Sequence, residues 1–444
     1  MTTARLPRLI AAAGLVAWIA SAAIVWLGGS PLGHDEAQYV LDARDWLAGA
    51  EPRWFYLSSG MRYVTAVGLQ LGGGEVALRF PTFVLGIAFV LTAAALAWRI
   101  YGPMTAAWVI GVLAGLRCVM QLSAELLSDL PATAFLLAGT LVLADEILRR
   151  DDGPRWRVIG AAPLFAAALY LRYASCVPIA IVGVAVAALG WRRIARAPAP
   201  VAATVAAFAV MLAPHFLSAM RDTGSPLGIL LASKGVPGQT WIAEGLATYL
   251  TSNPFRYYGV LAPPILLAGL AAPALMRDRP TLLLWSAGVG DIVALGLISH
   301  AQPRYIFFGI ALLAILGVEV LRRAIAERRV AAIVAGVAVA LATVLVMRQQ
   351  LHRADYRAET TTDTRRAAEV IRADAAGARC YVIGDQYTQL EHYSGCQASA
   401  WPWDEQGTAK IYMVQKDQAA PRSWRGRMHV LVNEPQLRVT RWDP

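Results

Sequence analysis

Leu9 to Gly28 reads LIAAAGLVAWIASAAIVWLG, without one ionisable side chain. A helix rising about 1.5 Å per residue crosses a hydrocarbon core of roughly 30 Å in about 20 residues, so this stretch alone predicts a membrane span. Ten more apolar stretches follow, at 76–98, 104–121, 130–148, 158–171, 177–191, 199–217, 258–276, 281–299, 304–321 and 330–347. The expected fold is an all-α polytopic membrane protein of about eleven transmembrane helices. Composition agrees, since 57% of the 444 residues are hydrophobic and 16% charged, with mean hydropathy +0.48. The stretches at 104–121, 158–171 and 177–191 are short enough for a partly re-entrant path. No small-residue cleavage signal follows Gly28, so the first helix is expected to be retained.

The loops test this layout independently, because Lys and Arg gather on the cytoplasmic side of short connections. Arg5 and Arg8, Arg99, Arg149 to Arg157, Arg192 to Arg196, Arg277 and Arg279, and Arg322 to Arg329 fall in alternate loops. The parity puts the N-terminus inside a cytoplasmic membrane and the tail after Arg348 outside. It also accounts for most of the +10 net charge, so no nucleic-acid partner is expected; the lipid bilayer is the surface these arginines face.

The loops assigned to the outside carry the chemistry. Gly33-His34-Asp35-Glu36-Ala37-Gln38-Tyr39 places two adjacent carboxylates just beyond the first span; they are either solvated loop charges or groups acting at the membrane surface. An amphipathic helix is expected from Asp35 to Gly49, with Tyr39, Trp46 and Leu47 on one broad face. Next, Trp54, Phe55, Tyr56 and Tyr63 interleave with Arg53 and Arg62. Such a pattern serves as an interfacial aromatic belt or as a grip on a lipid phosphate and its sugar. Arg79 opens the second span, with Pro81 expected in the first helical turn; it either snorkels to headgroups or meets a ligand.

Glu125 and Asp129 are four residues apart and on a helix would share a face. Two such carboxylates repel unless a cation or a substrate hydroxyl compensates; alternatively Asp129 caps the next helix, with Pro131 in its first turn. Lys234 is the one lysine in the outer loops before the tail. Arg304, with Tyr305, begins a span where guanidinium and free backbone N–H groups together suit a phosphate; an interfacial anchor is the alternative. His215, alone near the end of its span, reads as a packing residue.

From 348 to 444 the chain turns charged and polar, with strand-like runs at 380–383 and 428–432 and a helix at 364–373. This predicts a small extracytoplasmic α/β domain after a transmembrane domain of residues 1–347. Cys380 and Cys396 would close a loop worth about 3 kcal/mol if oxidised, which an exported location permits. Cys118 and Cys176 lie in or near spans and read as packing residues.

His34 to Tyr39, Leu78-Arg79-Phe80-Pro81, Asp129, Gly224-Ser225-Pro226 and Pro303-Arg304-Tyr305, in that order and on one side of the membrane, resemble the GT-C membrane glycosyltransferases that use polyprenyl-phosphate sugars. The likeness is to the group holding protein O-mannosyltransferases and lipid A aminoarabinose transferases, and it covers residues 1 to about 347. It implies a glycosyltransferase of cell-envelope glycan synthesis whose partners are a polyprenyl-phosphate-linked sugar and a hydroxyl-bearing acceptor. Asp35 is then the general base, with Glu36 and Asp129 as catalytic support that orients a sugar or holds a divalent cation. Some superfamily members use a metal and others do not; no His-rich ligand set marks one here. The donor phosphate would meet Arg304, Lys234 and Arg62, with Arg79 in second rank, while His34, Tyr39, Glu125 and Tyr305 orient substrate. The rival class is a transporter or lipid-linked-glycan flippase, which calls for ionisable residues deep in the spans; Asp291 and Glu319 are the acidic residues placed there.

Overall fold

A computed structural model of the chain describes residues 5–50, 54, 57–149, 156–229, 244–251, 257–298, 302–400, 410–415, 427–434 and 437–443. In chain order its first helices are α1 (Arg5–Leu27), α2 (His34–Leu47), α3 (Ser59–Gln70), α4 (Glu75–Tyr101), α5 (Pro103–Ala114), α6 (Arg117–Ser123), α7 (Asp129–Leu143) and α8 (Ala161–Leu171). Then come α9 (Cys176–Arg196), α10 (Pro198–Thr223), α11 (Glu244–Thr251), α12 (Ala262–Leu275), α13 (Arg279–Ile298), α14 (Phe307–Ile325), α15 (Arg329–Ala375) and α16 (Tyr387–Ser394). Two compact units result: Met1–Leu27 with Trp54–Val64 and Arg79–Gln350, and Gly28–Arg53 with Thr65–Leu78 and Leu351–Pro444.

Among the described residues eight helices are long and apolar enough to cross a membrane: α1, α4, α7 with its extension to Leu148, α9, α10, α13, α14 and α15. The stretch expected at 104–121 is instead the pair α5 and α6, bent by 74°. The break falls at Gly115 and Leu116, the latter extended at φ −87° and ψ 119°. The stretches expected at 158–171 and 258–276 form the shorter apolar helices Trp156–Leu171 and Ala262–Leu275. In the first unit α12 and α14 pack at Gly269 and Gly317; a Cβ at either would collide with the backbone carbonyl of Leu313 or Ile265. Small residues let helices meet where lipid supplies no hydrophobic drive between them.

Two local expectations are corrected. Pro81 does not begin its helix, because α4 starts at Glu75 and Pro81 lies inside it. Lacking an N–H, Pro81 leaves the Ala77 carbonyl without its helical donor. Gly68 of α3 packs on that turn, a Cβ there falling 2.9 Å from Ala77 O and 2.6 Å from Leu78 Cα. Secondly, Glu125 and Asp129 do not share a helix face: α6 ends at Ser123 and the chain unwinds before α7 starts at Asp129. Pro131 does sit in the first turn of α7, as the spacing predicts.

The second unit holds a five-stranded sheet of order β2-β1-β3-β5-β4. Its strands are β1 (Cys380–Ile383), β2 (Gln397–Ser399), β3 (Lys410–Gln415), β4 (Arg427–Glu434) and β5 (Leu437–Asp443). β1 runs parallel to β2 and β3, and β5 antiparallel to β3 and β4. Of these, β1 and β4 were the strand-like runs of the sequence. The core forms where Ala367, Ala368 and Ile371 of α15 meet Val382, Leu390, Tyr412 and Val439. Cys380 and Cys396 are joined by a disulfide beside it, and Cys118 and Cys176 are free.

Candidate functional site

The acidic motif opens α2. Gly33 is the N-cap, and its N–H donates to Glu36 Oε2 at 2.7 Å, so the residue at N3 folds back onto the cap. Both carboxylates stand in the first turn, where the positive end of the helix dipole favours them. Arg357 Nη1 lies 3.9 Å from the same Glu36 oxygen, and Glu36 is 2% exposed. Asp35, by contrast, is partly open to solvent. The adjacent pair therefore differs in exposure: Glu36 is enclosed, capping its own turn beside a guanidinium, while Asp35 is half-buried.

His34 is held on the opposite flank of this turn. Its Nδ1 lies 3.0 Å from the Thr388 hydroxyl and its Nε2 3.4 Å from the Gln38 amide, and the ring meets Tyr387 edge-on at 5.1 Å. Burial pushes the imidazole pKa below its usual value, with the neighbouring Asp35 charge opposing. Tyr39 is half-buried on α2, and Trp46 and Leu47 at its end are exposed.

In the first unit a second set of groups gathers. Asp129 Oδ1 stands 2.7 Å from Arg172 Nη1, with side chains only 4% and 13% exposed. Arg172 lies over the Tyr305 ring at 5.0 Å and Arg304 over the same ring at 5.9 Å. Arg304 Nε donates to Gln302 Oε1 at 2.7 Å. The turn at 303–306 is pinned by the Tyr258 hydroxyl donating to Pro303 O and by Tyr249 donating to Gln302 O at 3.3 Å. Gln121 Nε2 donates to Glu125 Oε2 at 3.2 Å.

Tyr257 marks where these groups converge. Its hydroxyl is buried and makes no hydrogen bond within the protein. Burial pushes the phenol pKa well up; Asp129 and Glu125 act in the same direction and Arg304 against it. Asp129, Glu125, Arg304, Tyr305, Arg172 and Tyr257 are thus one electrostatic neighbourhood. The sequence marked the first four. Arg172 looked like any loop arginine next to a span, and nothing in the Tyr257-Tyr258 dipeptide set Tyr257 apart from belt aromatics.

The remaining expected residues are scattered. Arg62 is half-buried on α3. Arg79 is 1% exposed on α4, which corrects the snorkelling alternative, since its guanidinium is enclosed by protein and does not reach out to headgroups. Lys234 lies outside the described residues. His215 is 4% exposed and packs against Tyr173 with ring centres 4.6 Å apart. Among the described residues no group of three or more His, Cys, Asp or Glu side chains is arranged to hold a metal ion.

Residues 59–217 match the sequence profile of the dolichyl-phosphate-mannose-protein mannosyltransferase family. The chain superposes on ArnT from Cupriavidus metallidurans in the apo state with TM-score 0.68 at 15% identity, over 99% of this chain and 98% of that one. The structure of that protein bound to undecaprenyl phosphate gives 0.69 at 16% identity over the same shares. The chain has the GT-C fold. The Archaeoglobus fulgidus oligosaccharyltransferase, in complex with Zn and sulfate, matches at TM-score 0.56 and 12% identity, over 87% of this chain and 62% of that one. No curated protein matches by sequence. The resemblance drawn from the outer-loop motifs thus meets the GT-C fold by an independent route, and its PMT-type segment spans α3 to α10, including Asp129 and Arg172.

Proposed function

We propose that the chain is an inverting glycosyltransferase that moves a sugar from a polyprenyl-phosphate donor to a hydroxyl acceptor on a glycan, lipid or protein. The observation that carries this is the near-complete superposition on a protein whose solved structure holds undecaprenyl phosphate. Loop-charge parity supports an outer-face reaction in the cytoplasmic membrane, with the N-terminus inside and residues 348–444 outside.

The acceptor oxygen attacks the anomeric carbon as Asp35 takes its proton, and the bond from that carbon to the phosphate oxygen breaks. Its electron pair stays on the phosphate, which leaves as a monoester dianion. A general base needs a carboxylate able to reach a solute hydroxyl, and Asp35, partly open to solvent, fits better than Glu36, which is 2% exposed. Charge growing on the leaving phosphate calls for fixed cations; Arg304 is the leading candidate, followed by Lys234, Arg62 and the enclosed Arg79. Asp129, held against Arg172, and Glu125 serve to orient substrate polar groups, with His34, Tyr39 and Tyr305; Glu36 positions the turn that carries Asp35. A divalent cation is not required by this scheme.

The test is transfer of radiolabelled sugar from polyprenyl phosphate to a panel of acceptors by the purified full chain in nanodiscs. Wild type is expected to transfer, and Asp35→Asn to lose more than about a thousandfold of the rate with insertion intact. Near-normal transfer by that variant would remove Asp35 as the base.

A further inference from the structure

The second unit contains a cavity of about 270 Å³ lined by Pro31, Leu32, Gly33, Arg357, Thr361, Thr364, Gln386 and Gln389. Its walls come from the turn before α2, one face of α15 and the start of α16. Arg357, Thr361 and Thr364 follow one another at four and three residues, so they line a single helix face. Gln386 is the N-cap of α16 and Gln389 its third residue.

The lining has a definite chemical character. Two hydroxyls, two carboxamides and one guanidinium stand around a space whose other wall is Pro31 and Leu32. Gln389, 7% exposed, donates its Nε2 to Leu32 O at 3.0 Å. Its Oε1 is buried and meets no donor in the protein. A buried acceptor of this kind is costly unless something else supplies the hydrogen. Several neutral polar groups of both donor and acceptor type, with one apolar wall, match the hydroxyl-studded rim and apolar face of a pyranose. They do not match a phosphate, which would want several cations, nor an acyl chain, which would want an apolar lining throughout.

We propose that this cavity is a carbohydrate subsite that holds one hydroxyl-bearing sugar ring, with Gln389 Oε1 accepting from a ring hydroxyl and Thr361, Thr364 and Gln386 reading its neighbours. Gly33 brings the subsite to the turn that presents Asp35, and Arg357 links its wall to Glu36. The ring belongs either to the donor or to the acceptor, and its part in turnover rests on the transferase reading; its binding does not.

The test uses Thr361→Val with Gln386→Leu in the full chain. The first change is nearly isosteric, and the second removes no helix cap, because the Gln386 side chain makes no capping hydrogen bond. Thr364→Val serves as the second variant should the pair lower the melting temperature. In saturation-transfer NMR the wild type is expected to transfer magnetisation to at least one of methyl α-mannopyranoside, methyl β-glucopyranoside and methyl β-galactopyranoside, and the variants to lose most of it. In the transfer assay the variants are expected to raise one KM about tenfold with kcat kept; a donor KM assigns the ring to the donor, an acceptor KM to the acceptor. No saturation transfer to any glycoside, equal transfer by wild type and variants, or unchanged values of both KMs would each overturn the subsite. Glycoside binding by a wild type that performs no sugar transfer would leave the subsite standing and remove the transferase reading.

Discussion

The two ends of the first unit use the same residue types in opposite ways. At the end bearing Arg99, Glu319 accepts from Thr105 Oγ1 at 2.6 Å, from Arg322 at 2.8 and 3.0 Å and from Arg323 at 2.5 Å. Arg99 likewise grips Asp145 with two hydrogen bonds, at 2.7 and 3.1 Å. At the end bearing Asp129, the carboxylate faces Arg172 at 2.7 Å, yet Asp129 Oδ1, Arg172 Nη2 and the Tyr257 hydroxyl are buried without an aligned hydrogen bond. Saturated charges hold helices together; unsaturated ones keep capacity for something not yet bound. Of the two acidic residues that the transporter reading places within the spans, Glu319 is spent on its own helix and Thr105, whereas Asp291 accepts the N–H of Gly309 through Oδ2 at 2.9 Å and keeps a buried, unpartnered Oδ1.

From this contrast, substitutions at the Asp129 end are expected to change activity beyond what they do to stability, and those at the Arg99 end to change stability alone. The largest effect is expected for Arg172→Ala, which strands a buried Asp129 and costs about 3–5 kcal/mol. Asp129→Asn added to it should restore most of the melting temperature in detergent but not sugar transfer; joint recovery would make the pair purely structural. Arg304→Ala comes next, with the donor KM raised about 10- to 100-fold, the loss of one charge-assisted contact at about 1.5–3 kcal/mol. Unchanged donor titration would remove Arg304 from the phosphate site. Glu319→Gln is expected to cost about 1–2 kcal/mol in unfolding, with both KMs untouched, because Arg322 and Arg323 can turn to water.

A last substitution, without effect on transfer, tests whether unsatisfied burial always signals a site. His392 in the second unit is half-buried, its Nδ1 enclosed and unbonded, and burial, with Arg44, Arg365 and Arg372 adding to it, pushes its pKa down to about 3. A base depressed in the fold and ordinary near 6.5 when unfolded binds its proton only in the unfolded state between those values. Its contribution is therefore complete above pH 6.5 and declines as pH falls toward 3. The expected loss is about 1 kcal/mol per pH unit once partial exposure is allowed for. His392→Gln should flatten the pH dependence of the melting temperature and leave transfer unchanged.

Much of this molecule is decided by local sequence. Membrane-length apolar runs, alternate basic loops and the Asp-Glu pair at a helix start are one-dimensional patterns, because bilayer thickness and helical rise act on the chain segment by segment. The strand at 380–383 and the helix packing Ala367 and Ile371 were legible for the same reason. Tertiary structure decided the rest. The bend at Gly115, the unwinding around Glu125 and the enclosure of Arg79 depend on neighbours distant in the chain. So do Arg172 over the Tyr305 ring, Tyr257 in the field of Asp129, Glu125 and Arg304, and the unequal burial of Asp35 and Glu36. Hydrogen-bond saturation is a property of what surrounds a side chain, and adjacent carboxylates of one motif read alike until the fold buries Glu36 beside Arg357, more than three hundred residues away, and leaves Asp35 partly open to solvent.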